Sequence, residues 1–369
     1  MTRDRSLLYD DDDDNNNNSC LHIHTNQHTT SHPHLSTHKA HQLHNKPPTM
    51  HLRTLLTLPL LATALPRPKT TELAPLPLVI WHGLGDDFQR EGLKSIASLA
   101  EKTNPGTYIH LIHLGDTAQS DRQATFLGNV SEQIASVCAQ LAADHILSTA
   151  PAINALGFSQ GGQFLRGYIE RCNAPPVHNL VTFGSQHNGI AEFQECTWSD
   201  WICRGAEALL RSGRWSAFVQ GKFVPAQYYR DPSELEAYLE SSNFLADVNN
   251  ERAVKNETYR ENLGKLNRFG MFMFEEDQMV HPKESAWFGE MDGETGGVVG
   301  VREREIYKED WIGLRRLDEA GRLDFKTVPG RHMQLSEVIL KGVFEEYFGP
   351  VEVEVSGDEV VALVEQAGY

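Results

Sequence analysis

Ile153-Asn154-Ala155-Leu156-Gly157-Phe158-Ser159-Gln160-Gly161-Gly162-Gln163-Phe164-Leu165-Arg166-Gly167-Tyr168-Ile169-Glu170 is the stretch on which the fold turns. A short apolar run, Ile153–Phe158, ends in a glycine- and serine-rich turn, and Phe164, Leu165, Tyr168 and Ile169 then recur at helical spacing. This reads as strand, tight turn, helix. Within the turn, Gly157-Phe158-Ser159-Gln160-Gly161 matches G-x-S-x-G, the pattern that holds a serine nucleophile on a strained bend. The flanking glycines have a steric reason, since side chains two before and two after the serine would collide with neighbouring backbone. The serine is then presented at the carboxyl edge of a sheet.

Strand and helix alternate on both sides of this stretch. Leu76–Trp81 reads as a buried strand ending at His82-Gly83-Leu84-Gly85, and Leu93, Ile96, Ala97 and Ala100 follow on one helix face. Tyr108–Leu114 reads as a second strand, and Val130–Leu141, with Ile134, Val137, Cys138 and Leu141 on one face, as another helix. Further strands are predicted at Asn179–Phe183, Phe269–Phe274 and Asp324–Val328, with a closing amphipathic helix at Leu335–Tyr347. The expected class is α/β, a mostly parallel sheet covered by helices on both faces, over residues 76–350. Residues 185–268 exceed an ordinary connection and carry many aromatics, among them Trp198, Trp201, Trp215, Phe218, Phe223, Tyr228, Tyr229, Tyr238 and Phe244. They read as a helical cap insertion, either a subdomain with its own core or a cap with an apolar inner wall.

A serine hydroxyl needs a base, and the base needs a third group to fix its tautomer and stabilise its cation. The histidines after Ser159 are His178, His187, His281 and His332. Of these, only His332 lies after every predicted strand, in a polar turn before the closing helix. For the acid, Asp277 follows the strand Phe269–Phe274 by three residues, and Glu275, Glu276 and Asp247 are its rivals. The oxyanion of an acyl-transfer reaction is best held by backbone N–H groups. Gln160, after the nucleophile, is expected to supply one and Leu84, in the glycine turn after the first strand, the other. His82 reads as structural rather than catalytic.

Composition sets limits around this core. With 33 Lys and Arg against 50 Asp and Glu, the formal charge is −17, which argues against a nucleic-acid binder, because phosphate tracking needs clustered cations. Residues 1–49 hold eight of the 17 histidines, an Asp run and an Asn run, and are expected to be a disordered low-complexity head rather than a metal site. At Met50 the character changes. Arg53 and the apolar run Leu55–Ala62 give the outline of a secretory signal over residues 50–65, with Met50 the expected true initiator. That run is too short for a stable membrane span, which takes about 20 residues. Two sequons, at Asn129 and Asn256, fit an oxidising compartment. Cys138, Cys172, Cys196 and Cys203 form an even set that allows several pairings, and no C-x-x-C spacing suggests zinc. No metal and no cofactor are expected.

Trp81–Asp86, Gly157–Leu165, Arg171-Cys172, Gln186-His187, Phe244–Asp247, Val280 and Pro282, Trp287–Gly289 and His332–Ser336 together resemble the lysosomal palmitoyl-protein thioesterase family of α/β-hydrolases over about residues 78–348. The resemblance implies removal of long-chain fatty acyl groups from S-acylated proteins or peptides, with Ser159 as nucleophile, Asp277 as orienting acid and His332 as base. It also implies disulfides Cys138–Cys172 and Cys196–Cys203, glycosylation at Asn256, and a place in the secretory pathway, in a lysosome or vacuole or outside the cell. The chain departs from the family at Asp87-Phe88, where adjacent cysteines are usual, and at His281, where an acidic residue is common. The tail, residues 351–369, has no family counterpart. Its alternating Val351–Val355 reads as either a strand or disorder. Two other functions fit the same motif: a secreted carboxylic-ester lipase with this triad, and a catalytically silent glycoprotein that binds lipid.

Overall fold

The computed structural model describes residues 70–192 and 213–355. Among the described residues, ten strands appear in order: β1 Thr70–Ala74, β2 Leu78–Trp81, β3 Ile109–Leu111, β4 Ile153–Phe158, β5 Val177–Phe183, β6 Arg268–Phe274, β7 Glu290–Met291, β8 Val298–Val299, β9 Leu323–Val328 and β10 Val351–Val355. Six of them form one sheet in the order β3-β2-β4-β5-β6-β9, every neighbouring pair parallel. The first five helices are α1 Glu91–Thr103, α2 Ala118–Phe126, α3 Val130–Ala143, α4 His145–Thr149 and α5 Gln160–Arg171, and the closing helix is Glu337–Tyr347.

The strands are buried on both faces, and their two-residue side-chain period divides the core in two. Leu78 and Ile80 of β2, Leu156 and Phe158 of β4, and Phe272 and Phe274 of β6 pack with Leu93, Ile96 and Leu99 of α1 and Leu340, Val343 and Phe344 of the closing helix. Val79 and Trp81, Ile153 and Ala155, and Phe269 and Met271 face the other way, against Ile134 and Val137 of α3 and Phe164, Leu165, Tyr168 and Ile169 of α5. Each such Leu, Ile or Phe contributes on the order of 1.5–3 kcal/mol relative to leaving it in water. The fold is α/β, a parallel sheet covered by helices on both faces.

The predicted strands shift mainly at their ends: the first begins at Leu78 rather than Leu76, the second shrinks to Ile109–Leu111, and the fourth begins at Val177 rather than Asn179. The alternating Val351–Val355 is a strand, paired antiparallel with Thr70–Ala74, whose own sequence shows no such alternation. Helix α5 is buried from Gln160 to Glu170, not on one stripe alone. Sheet residues cover one side, while Phe244 meets Phe164 edge-on and the Phe244 ring lies where a side chain at Gly167 would reach.

The aromatics between β5 and β6 divide between core and surface. Tyr228, Tyr229, Tyr238 and Phe244 are buried in the core, with Trp215 edge-on to Tyr229 and Tyr238. Phe218 remains 63% exposed. Trp198, Trp201, Cys196 and Cys203 lie outside the described residues, as do the head and the signal segment.

Candidate active site

Ser159 sits between β4 and α5 with φ 52 and ψ −125, a positive-φ conformation that an L-residue holds only when its surroundings enforce it. The enforcement is visible. A Cβ on Gly157 would strike the Gly162 backbone, and one on Gly161 would strike the carbonyl oxygens of Trp81 and His82. The two glycines let β4, β2 and the start of α5 approach closely, and Ser159 N–H donates to the Phe183 carbonyl at 2.8 Å.

The parallel sheet brings two distant loops to the same rim. Beyond β6 and β9, Glu275 N–H donates to Val328 O at 2.9 Å and Glu276 N–H to Gly330 O at 3.0 Å, so the two connections run side by side. Asp277 lies on the first, His332 on the second. His332 Nδ1 is 2.7 Å from Asp277 Oδ2, and His332 Nε2 is 3.1 Å from Ser159 Oγ. The other carboxylate oxygen of Asp277 accepts the backbone N–H groups of Met279 and Val280, at 2.9 and 3.1 Å. Those bonds fix the orientation of the carboxylate. The His332 side chain is 12% exposed and the Asp277 side chain 2%, so the imidazole is reachable while the carboxylate beside it is sealed. Gly184 contributes space: a Cβ there would come within 3.0 Å of His332 Cε1.

The rivals are committed elsewhere. Asp247 accepts from Arg171 at 2.6 Å and from the Tyr259 hydroxyl at 2.8 Å. Glu275 and Glu276 are exposed. His187 is buried beside Thr182 and stacked on Phe288, and burial, together with the nearby Arg166 charge, drives its pKa well below the usual imidazole value.

The turn His82–Gly85 lies directly against the nucleophile, since a Cβ on Gly83 would sit 3.1 Å from Ser159 Cβ. Gln160 is buried, with its side-chain amide donating to Thr125 O and accepting from the Tyr228 hydroxyl, both at 3.3 Å. As the first residue of α5, its own N–H has no intrahelical acceptor. His82 is clamped at both ring nitrogens, Nε2 at 2.9 Å from Asp121 Oδ2 and Nδ1 at 3.1 Å from Gly83 O. Sequence reasoning missed Asp121 because α2 turns polar residues inward, and apolar periodicity cannot find such a helix.

Below α5, Arg166 donates to Glu170, Val248 O, His187 O and Asn249, all at 2.8–3.0 Å. Burial pushes the Glu170 carboxyl up to about 7, against the pull of Arg166. Cys138 and Cys172 are joined as a disulfide, tying α3 to the end of α5 with Cα atoms 6.2 Å apart. Among the described residues, no helix is long and apolar enough to cross a membrane.

The model of the palmitoyl protein thioesterase family matches residues 77–332, more than half of the chain. The chain belongs to the palmitoyl protein thioesterase family. As a member it is a thioesterase. It is 39% identical over 276 residues to palmitoyl-protein thioesterase 1 of Caenorhabditis elegans, covering 74% of this chain and 92% of that protein. To palmitoyl-protein thioesterase 3 of Dictyostelium discoideum it is 35% identical over 262 residues, covering 70% and 86%. The lysosomal thioesterase PPT2 of Homo sapiens is 26% identical over 263 residues, with 70% and 82% covered. The matched span contains the serine turn, Asp277 and His332.

Proposed function

We propose that this thioesterase removes long-chain fatty acyl groups, palmitoyl foremost, from cysteine thioesters in proteins or peptides by way of an acyl-enzyme. The observation that carries the reading is the unbroken line Ser159 Oγ, His332, Asp277 at the carboxyl rim, with bonds of 3.1 and 2.7 Å. Ser159 Oγ attacks the thioester carbonyl carbon as its proton passes to His332 Nε2. Asp277 holds the Nδ1–H and stabilises the imidazolium. The carbonyl oxygen takes up the negative charge and is met by the N–H groups of Leu84 and Gln160. Collapse breaks the carbon–sulfur bond, and the cysteine sulfur takes the proton from His332 and leaves as thiol, which returns His332 to its neutral form. A cysteine thiol has a pKa near 8.5, so this departure needs little help. Water then attacks the Ser159 ester with His332 again as base, releasing the fatty acid and restoring the hydroxyl.

The Cys138–Cys172 disulfide and the lysosomal relatives support an oxidising route through the secretory pathway to a lysosome-like compartment. Asn256, exposed at the N-terminus of the helix Glu257–Leu263, and Asn129, at the start of α3, are the proposed glycan acceptors.

The test is release of free thiol from a palmitoyl-cysteine peptide by purified protein, beside a matched oxygen ester. Thiol release that Ser159→Ala abolishes, with the melting temperature kept, is the expected result. Turnover retained in Ser159→Ala removes the serine mechanism, and a clear preference for the oxygen ester replaces the thioester reading with a lipase.

A further inference from the structure

Helix α2 carries two inward polar side chains one turn apart, and both reach the turn against the nucleophile. Asp121, fully buried, accepts from His82 Nε2 at 2.9 Å and from Phe88 N–H at 2.9 Å with one oxygen, and from Leu114 N–H at 2.7 Å with the other. Thr125, 2% exposed, donates its hydroxyl proton to Arg122 O at 2.7 Å. That donation turns an oxygen lone pair toward Gly85 N–H, which it accepts at 2.9 Å. The Thr125 carbonyl also accepts the Gln160 side-chain amide at 3.3 Å. One residue therefore touches both arms of the site: the glycine after Leu84 through its hydroxyl, and Gln160 through its backbone.

We propose that Asp121 and Thr125 are positioning residues for the oxyanion donors, fixing the residues on both sides of Leu84 and, through Thr125, linking that turn to Gln160. The inference rests on the serine mechanism above. Its physical basis is preorganisation: a donor stabilises developing charge only where it is held before the charge appears. A glycine-flanked turn has little stiffness of its own, because Gly85, at φ 77, gains no rotamer or Cβ constraint. External bonds must supply the stiffness, and α2 supplies them. The helix is itself anchored, by a reciprocal Thr117–Ser120 cap, by Arg122 to Asp87 at 2.6 Å, and by Gln133 Nε2 to Ala124 O at 2.8 Å. A helix that merely filled the core would bury apolar residues. This one buries a carboxylate and a hydroxyl and leaves Phe126 43% exposed.

Thr125→Val keeps the shape and removes the acceptor of Gly85 N–H. The loss of a whole oxyanion donor slows catalysis about 10²–10³-fold, so a loosened one is expected to cost about 10-fold in kcat with KM little changed. Affinity for a palmityl trifluoromethyl ketone, whose serine adduct carries an oxyanion, should fall by the same factor, while affinity for palmitate stays level. Thr125→Ser, which keeps the hydroxyl, should return to within about 2-fold of the parent. Thr125→Ala is the alternative if the valine variant does not fold, with the same outcomes. Parental kcat in the folded variant, or equal losses of ketone and palmitate affinity, would overturn the proposal. Ser159→Ala separates the two readings. If it still turns over, the serine mechanism has failed, whereas an inactive Ser159→Ala beside a fully active Thr125→Val sinks only the role of α2.

Discussion

Two histidine–aspartate pairs stand at the rim of this sheet, and they differ in what the second ring nitrogen meets. In His332–Asp277 one nitrogen faces a carboxylate and the other faces the Ser159 hydroxyl, a group that can give a proton. In His82–Asp121 one nitrogen faces a carboxylate and the other a backbone carbonyl, so both must carry hydrogen to be satisfied. The first ring keeps a lone pair for chemistry. The second has both nitrogens turned to acceptors, and its side chain is fully buried where that of His332 is 12% exposed. Burial pulls the His82 pKa down, but the Asp121 bond and charge and the Gly83 carbonyl outweigh it and leave it raised. On the proposed mechanism, the same residue types make a base at one position and a clamp at the other.

The sharpest way to break the comparison is to remove the reactive pair. His332→Ala, or Asp277→Asn, which keeps the size but presents an amide to Nδ1, is expected to lower kcat by about 10⁴-fold with the fold intact, read by steady-state thiol release and circular dichroism. If Asp277→Asn retains most activity, another carboxylate orients His332.

Removing the clamp should act mainly on stability. His82→Gln leaves the buried Asp121 carboxylate with its two backbone donors and no counter-charge. Breaking such a pair costs about 3–5 kcal/mol, enough to lower the melting temperature by roughly 5–15 °C in a domain this large. Activity of the folded fraction should fall by far less than in His332→Ala. Equal losses in kcat for the two variants would erase the distinction between base and clamp.

A smaller effect sharpens it through pH. Because the His82 pKa is raised in the fold, the stability it contributes is complete below the ordinary imidazole value near 6.5 and is lost as pH climbs through the raised value. Asp121 is depressed: burial raises it, but the bonds and charge of His82 and the N–H groups of Leu114 and Phe88 prevail. Its contribution is present above the usual carboxylate value and lost as pH falls through the depressed one. The melting-temperature gap between parent and His82→Gln should therefore be widest in mildly acidic solution and narrow toward pH 9. A gap that grows with pH would show His82 to be neutral.

Legibility tracked the kind of signal each element leaves. Buried strands such as Ile153–Phe158 and Phe269–Phe274 declare themselves as apolar runs, and Ser159 is marked by glycines that only a tight crossing needs. His332 could be named from chain order, whereas Asp277 stood among four candidate acids until the family resemblance singled it out. Helix α2 left no such trace, because its inward face is Asp121 and Thr125, and the pairing of β1 with β10 depends on a partner some 280 residues away. Near Asp277, three acidic residues in a row look alike in sequence. In the structure Glu275 and Glu276 spend their backbone N–H groups zipping two loops together, while Asp277 alone turns its carboxylate to His332.

The sequence by itself determined the alternation of strands and helices, the strained serine turn and the family, because local sterics and apolar periodicity are written in short windows. Only the tertiary structure decided which carboxylate meets which imidazole, and which imidazole is left with a lone pair. Those choices depend on acceptors brought in from other strands and helices, and no local window contains them.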